Sequence, residues 1–497
     1  MKKSTKLLSM LMALIMLVTS VSAFTLTANA YVEPKSASVD GVWFYYTVKD
    51  GKATILYSAD YNEPYKGKTF TFPSKIKGKK LVAIESFFLY SKTCKTMVIP
   101  DSVERLGSLK NGDFYAAISS DTVETIKIGK GLKTIKYNPF ITGKKFIVSK
   151  DNKNFASEKG VIYNKKKTAI VAFPAGKKPK TYTLNKNVKV VKPFAFTWSV
   201  IKNINLNKVQ KAYPEAFYGA EFKTVKLGKD AKSISAEAFT WCSYITKIQV
   251  NKNNKNFKVK NGVLFNKKGT KLVMFPKGKK KSAYTIPKKV NTVGKDAFAF
   301  CYKLGKVSVP SSVTNIQSGA FNTYGLKVNL PKKVKKIGNR AYGSSNITKA
   351  AFPKTVTSIG YQAFCGCEKL KSVDMSKIKL KKIKQETFSF TSISSIKFPK
   401  GVEEIGYYAF GGTKLKTVTV PKSVKVIRGF GFESDKLTKI TVKGKDTELK
   451  AHALGYEYYY DDEVGDEVPR QITIVAPKGS KAEKFAKKYG FTFKALS

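Results

Sequence analysis

One histidine, His452, stands in a chain of 497 residues. Triads, two-His metal sites and histidine general bases all need imidazole held by partners. No Gly-x-Ser-x-Gly and no His-Glu-x-x-His accompanies it, and none of the five cysteines has a paired His. Cys242, Cys301 and Cys367 each follow an aromatic residue by three positions, which reads as a buried thiol filling a turn rather than a redox or metal ligand. Cys365-Gly366-Cys367 is too closely spaced for a Cys-x-x-Cys motif. A pair of glycosidase carboxylates could hide in an irregular stretch such as Asp101 to Asp121. Glu457, Asp461, Asp462, Glu463, Asp466 and Glu467 fall within eleven residues, beside Tyr456 and Tyr458 to Tyr460. This acidic stretch reads first as a loop docked on the chain's own Lys-rich face. An acidic-aromatic recognition loop is another reading; a Ca²⁺ site is a third, without the EF-hand or RTX spacing. Trp198 and Trp241, each two residues past an aromatic, read as packed turn residues before sugar platforms. The expectation is a non-enzyme with no catalytic residue, no cofactor and no metal ligand.

The chemistry that remains is charge. There are 92 Lys and Arg against 34 Asp and Glu, a formal charge of +58. Only Arg105, Arg340, Arg428 and Arg470 are Arg, so 88 of the basic residues are Lys. Arg suits bidentate reading of phosphates and base edges, whereas Lys is a hydrated point charge. Sequence-specific nucleic-acid recognition is therefore not expected. The chain is 42% hydrophobic, which separates it from disordered polycations. A solvated face that discourages edge aggregation would explain some of the Lys. The charge far exceeds what solubility needs, so attraction to an anionic polymer is the sharper reading. Lys332, Lys333, Lys335 and Lys336, with Lys379, Lys381 and Lys382 in the block from Lys377 to Lys384, are the candidate anion-binding residues.

Such residues need elements to hold them. Lys2, Lys3 and Lys6, the apolar run Leu7 to Val21, and Ala28-Asn29-Ala30 read as a signal peptide over residues 1–30. No transmembrane segment is expected in the mature chain, which is read as secreted, extracellular or loosely held at the cell surface. Available polyanions there are wall teichoic acid, anionic membrane, mucin or matrix glycans and extracellular DNA.

The rest of the sequence repeats. The pattern apolar-x-x-x-Ala-aromatic places rings at Phe196, Phe217, Phe239, Phe298, Phe321, Tyr342, Phe364, Phe388, Phe410 and Phe432, with Thr387 and Gly431 replacing Ala in two copies. The steps are 21, 22, 59, 23, 21, 22, 24, 22 and 22 residues. Pro287, Pro310, Pro331, Pro353, Pro399 and Pro421 each precede a ring by eleven residues, and each ends a short β-type run. One unit reads as strand, Pro turn, short strand, then a tight turn or short helix carrying the ring. A unit this short buries its apolar face only by stacking on its neighbours. The expected fold is mainly β: a right-handed solenoid with parallel strands, a β-hairpin N-terminal cap over 31–67 and a short C-terminal helix cap over 472–497. The array is expected over 68–446, with an acidic Tyr-rich loop over 447–471. The 59-residue step and a matching stretch 102 residues earlier read as hairpin insertions near 252–277 and 150–175. Phe88, Phe114 and Phe140 read as degenerate early rings.

The unit Ile405-Gly406-Tyr407-Tyr408-Ala409-Phe410, followed by Leu415-Lys416-Thr417-Val418-Thr419-Val420-Pro421, resembles the BspA-type (treponemal) leucine-rich repeat. The resemblance extends over nearly all of the mature chain, including the Gly262-Val263-Leu264-Phe265-Asn266 insert and the terminal helix from Gly479. It implies a leucine-rich-repeat solenoid and a secreted or surface-bound bacterial protein linked to adhesion, with host matrix protein among the partners. A structural surface coat is the alternative function, and a polysaccharide-active enzyme a further one.

Overall fold

The structure is a computed structural model that describes residues 34–58, 64–108, 118–120, 122–136, 143–456, 458–461 and 466–496. The signal-peptide reading, residues 1–30, lies outside these, as do Phe114 and Phe140. Two compact units divide the chain. The first comprises residues 1–180, 185–201 and 215–220; the second comprises 181–184, 202–214 and 221–497.

The first unit opens with an antiparallel meander of β1 (Lys35–Val39), β2 (Val42–Lys49) and β3 (Lys52–Ser58), one strand more than a single hairpin. Asp40-Gly41 and Asp50-Gly51 close its turns with φ of 50° and 78°, and 51° and 68°. Both residues of a type I′ turn need positive φ, which Asp-Gly tolerates. β3 then pairs in parallel with Lys79–Ile84, which pairs with Arg105–Leu106. Opposite them Thr69–Thr71, Thr96–Ile99, Thr125–Ile128 and Lys145–Val148 stack in register, also in parallel. Phe44, Ile55, Leu81, Met97 and Ile126 point inward and are fully buried. The buried early ring is Phe87, stacked on Phe70 at 5.3 Å, and Phe88 is half-buried. The first insertion is a three-stranded meander, Phe155–Glu158, Val161–Asn164 and Ala169–Ala172, whose last strand runs parallel to Val190–Val191.

The second unit is a parallel-strand solenoid of many turns. Most coils place a strand of three to five residues on one side, as in Lys281–Thr285 and Leu304–Ser308, which is shortened to two in Lys327–Val328. A two-residue strand lies on the other side, as in Thr292–Val293, Asn315–Ile316, Lys336–Ile337 and Ser358–Ile359. Val and Ile of these strands face inward onto a ring column. Phe275, Phe298, Phe321, Tyr342, Phe364, Phe388, Phe410 and Phe432 follow one another at 5.0 to 5.5 Å, each buried. Phe275 comes from the second insertion and extends the column one ring beyond Phe298, within the 59-residue step. Phe173 plays the same part in the first unit, 5.1 Å from Phe196.

The ring-bearing turn has a backbone rule absent from the sequence pattern. The residue two before the ring position is left-handed in coil after coil: Asp296, Arg340, Gln362, Glu386, Tyr408, Phe430 and His452 have φ between 51° and 55°. Left-handed backbone costs a non-glycine residue roughly 1–2 kcal/mol. It is offset by three bonds to the next coil, such as Glu386 N–H to Tyr407 C=O, Phe388 N–H to Ala409 C=O and Phe390 N–H to Gly411 C=O, at 2.8 to 2.9 Å.

Residues 447–471, expected as a loop, form another coil and a hairpin. Leu449, Ala453 and Leu454 are buried, and Phe432 N–H bonds Ala453 C=O at 3.0 Å. The pattern persists there with Leu in place of the ring. Tyr458–Asp461 then pairs antiparallel with Asp466–Pro469. Ser480 caps helix α1 (Lys481–Lys488), its hydroxyl accepting from Glu483 N–H, and the helix buries Phe485 and Ala486. Thr492–Ala495 closes the sheet beside Thr473–Ala476. Among the described residues no helix is long and apolar enough to cross a membrane.

Candidate functional site

The Pro corner explains why Lys reaches solvent in register. In Pro287-Lys288-Lys289-Val290 the Val290 N–H bonds the Pro287 C=O at 2.9 Å, closing a β-turn. The same bond closes the corners from Pro331, Pro353 and Pro421 at 3.0 to 3.3 Å. The turn's two central residues have nowhere to point but outward, while Val on the far side is buried. Lys288, Lys332, Lys354, Lys400 and Lys422 thus stand exposed on successive corners. The corner at Pro310 carries Ser311 instead. Lys377 and Lys445 join the row through turns closed by Ile378 N–H to Met375 C=O and Thr447 N–H to Gly444 C=O. Neither turn has Pro, so the Pro pattern missed their equivalence; the 22- to 23-residue step was the signal that would have found them. None of these seven Lys lies within ion-pair distance of a carboxylate among the described residues, although Lys377 is among the charges that hold the Asp374 carboxyl below its usual range. Adjacent strands lie about 4.8 Å apart, so the row is a ladder with close charge spacing.

The candidate residues divide into two groups. Lys332 and Lys333 flank buried Val334 on one side, Lys335 and Lys336 on the other, and all four are exposed. Lys336 sits between Asn315 and Ser358 in its sheet, with no carboxylate opposite. Lys379 is exposed and bridges through its backbone to Lys400. Lys381 and Lys382 differ. Glu403, one coil on, binds Lys381 and lies 2.9 Å from Lys425. Glu404 lies 2.8 Å from Lys382 and 3.0 Å from Arg428. Hydrogen bonds from Lys381 and then Lys425 hold the Glu403 carboxyl down at about 2. Burial alone would raise Glu404, but Lys382 and Arg428 more than offset it and its pKa falls. These two Lys are cross-coil ties, which sequence density could not distinguish from unpaired charge.

Other sequence readings also find their place. Cys301 and Cys367 are buried thiols pushed up to about 12 by burial, and Cys242 is buried as well. Trp241 packs against Phe300 at 4.8 Å, the rings tilted by 33°. Trp198, read as packed, is 48% exposed. Its indole lies flat on Gly219, where a Cβ would meet ring atoms at 2.6 Å, so one face is covered and the rest looks outward. Asp101 Oδ1 accepts from Lys130 N–H at 2.8 Å, a structural bond between coils. Residues 109–117 and Asp121 of that stretch lie outside the described residues, as do Glu457, Asp462 and Glu463 of the acidic run. No group of three His, Cys, Asp or Glu among the described residues is placed to hold a metal.

The family model of the BspA type leucine rich repeat region (6 copies) matches residues 171–281, 273–389 and 335–459, more than half of the chain. A search of curated proteins finds no match. Among solved structures, a leucine rich cell surface protein from Faecalibacterium prausnitzii is 19% identical with a TM-score of 0.41, over 73% of this chain and 95% of that one. The pneumococcal vaccine antigen PcpA is 15% identical with a TM-score of 0.35, over 93% and 99%. A leucine-rich repeat protein from Bacteroides ovatus is 15% identical with a TM-score of 0.37, over 93% and 100%. The chain belongs to the BspA-type leucine-rich repeat family.

Proposed function

We propose that this chain is a secreted, non-enzymatic binding protein that holds anionic polymers of a cell surface or host matrix along its corner Lys ladder. The observation that carries this reading is the row of exposed Lys on six consecutive corners, Lys332 to Lys445, with Lys288 beyond the Ser311 corner, none of them in an ion pair among the described residues. Many weak charge contacts along a repeating polymer add through effective concentration, and no single pocket is needed. The family's surface proteins support an extracellular binding role; the charge supports the ligand class. Retention on immobilised wall teichoic acid and on sulfated glycan tests it. Lys332, Lys354, Lys400 and Lys422→Gln should weaken retention well beyond Lys306, Lys327, Lys349 and Lys439→Gln, which removes equal charge from the long-strand faces. Equal weakening by the two variants would contradict a ladder site. Undiminished binding to a matrix protein by the ladder variant would make that protein the better partner.

A further inference from the structure

A cleft beside β1 is separate from the Lys ladder and offers different chemistry. It encloses about 430 Å³, with Ser36, Ser38 and Trp43 on one side and Pro73, Lys75 and Lys77 on the other. Among the described residues β1 is the edge of its sheet and pairs only with β2. The two-residue turn Asp40-Gly41 makes Val39 and Val42 the first pair of the hairpin. In such hairpins that pair exchanges both hydrogen bonds, and alternate pairs beyond it do not. Ser36 and Ser38 therefore aim their backbone N–H and C=O groups away from β2, toward the open edge. Both are exposed, with buried Ala37 between them. Across the cleft Lys75 and Lys77 are exposed, and neither pairs with a carboxylate among the described residues. Trp43 is 48% exposed, leaving apolar surface at the margin.

We propose that this cleft binds an extended acidic peptide segment as an added strand on β1. A bare sheet edge is a template for another strand, with main-chain bonds giving affinity and side-chain contacts giving selectivity. Ser36 and Ser38 present the alternating donors and acceptors that a peptide backbone matches and a polysaccharide does not. Lys75 and Lys77 select carboxylate side chains, and Trp43 favours an apolar residue between them. The five residues of β1 fit a segment of about five residues, roughly 17 Å long.

The test is calorimetric titration of the full mature protein with a blocked seven-residue peptide of alternating Glu and Val. Saturable binding is expected, weakened several-fold by Lys75→Gln with Lys77→Gln. Ser38→Pro removes one outward N–H at a position an edge strand tolerates, and is expected to weaken binding at least tenfold. The same peptide N-methylated on alternate residues probes the main-chain bonds without altering the protein, and the register that blocks its donors should not bind. Lys332, Lys354, Lys400 and Lys422→Gln should bind the peptide like the native protein, which keeps this site distinct from the ladder whatever becomes of that reading. The proposal is overturned by no binding, by equal binding of every N-methylated register, or by failure of the ladder variant to bind the peptide. Displacement by a heparin oligosaccharide that Ser38→Pro leaves unchanged would assign the cleft to a glycan instead.

Discussion

Phe364 shows how much one ring carries. It is fully buried between Tyr342 at 5.0 Å and Phe388 at 5.4 Å, so Ala leaves a cavity lined by two rings. Phe364→Ala should cost about 3–5 kcal/mol in urea unfolding; Phe390→Ala, at a ring 45% exposed, should cost much less. Equal costs would mean the column is not the core. The thiols follow the same logic: Cys301 and Cys367, with pKa near 12, should resist a thiol reagent at neutral pH in the native protein and react once it is unfolded. Lys277 is the residue that reading by pattern could not place. It lies two positions past Phe275, where the first insertion has Ala175, and it is 1% exposed with no hydrogen-bond partner for its Nζ among the described residues. Its Nζ is 5.0 Å from the Phe300 ring, and Asp296, Cys301 and Cys242 are the titratable groups facing it. Burial lowers its pKa from 10.5, so the unfolded chain binds the proton more readily than the folded one. Stability from this group therefore rises as pH rises toward 10.5. Lys277→Met should stabilise at neutral pH by on the order of 1–3 kcal/mol, and melting curves should show the gain shrinking in alkali. A pH-independent gain would contradict a buried amine.

At the scale of elements, the Pro corners and two-residue strands were legible because strands and turns are specified locally, by Val-x-Val runs ended by Pro. The left-handed row was not legible. Arg340, Gln362, Glu386 and Tyr408 share no side-chain property, and only hydrogen bonds between coils impose their backbone. The coil at Leu449 was hidden because Leu454 replaces the ring, and the first strand of each insertion, Phe155–Glu158 and Phe257–Lys260, because its pairing is made by a short Lys-Gly or Asn-Gly turn. The candidate site was half legible: sequence density found Lys332, Lys333, Lys335 and Lys336, yet it counted Lys381 and Lys382, whose partners lie 22 residues on. Glu403→Gln with Glu404→Gln should release Lys381, Lys382, Lys425 and Arg428. The double variant should hold teichoic acid more tightly than the native protein in a retention assay; weaker retention would contradict the division into tied and unpaired Lys. The pH sense is fixed. The Glu403 contribution is complete above its ordinary value of 4.5 and is lost as pH falls through about 2. Acid unfolding of Glu403→Gln should accordingly be less steep over that range.

The whole chain carries +58, and the repeat decides how that charge acts. The Debye length is about 10 Å at about 0.1 M salt and about 3 Å at about 1 M. Coils about 4.8 Å apart fall between these lengths. The ladder therefore acts as one field in dilute salt and as separate charges in concentrated salt. A +58 chain would also bind polyanions diffusely, so total affinity cannot separate the ladder from the background; the number of counterions released can. The decisive measurement is the slope of log affinity for a sulfated or phosphate-rich polymer against log salt, for the native protein and for Lys332, Lys354, Lys400 and Lys422→Gln. Every ladder Lys that no longer neutralises a polymer anion should reduce the slope by close to one. The account predicts a steep native slope that falls by about three to four in this variant, with folding unchanged. An equally steep slope in the variant, or native affinity that does not change with salt, would contradict it.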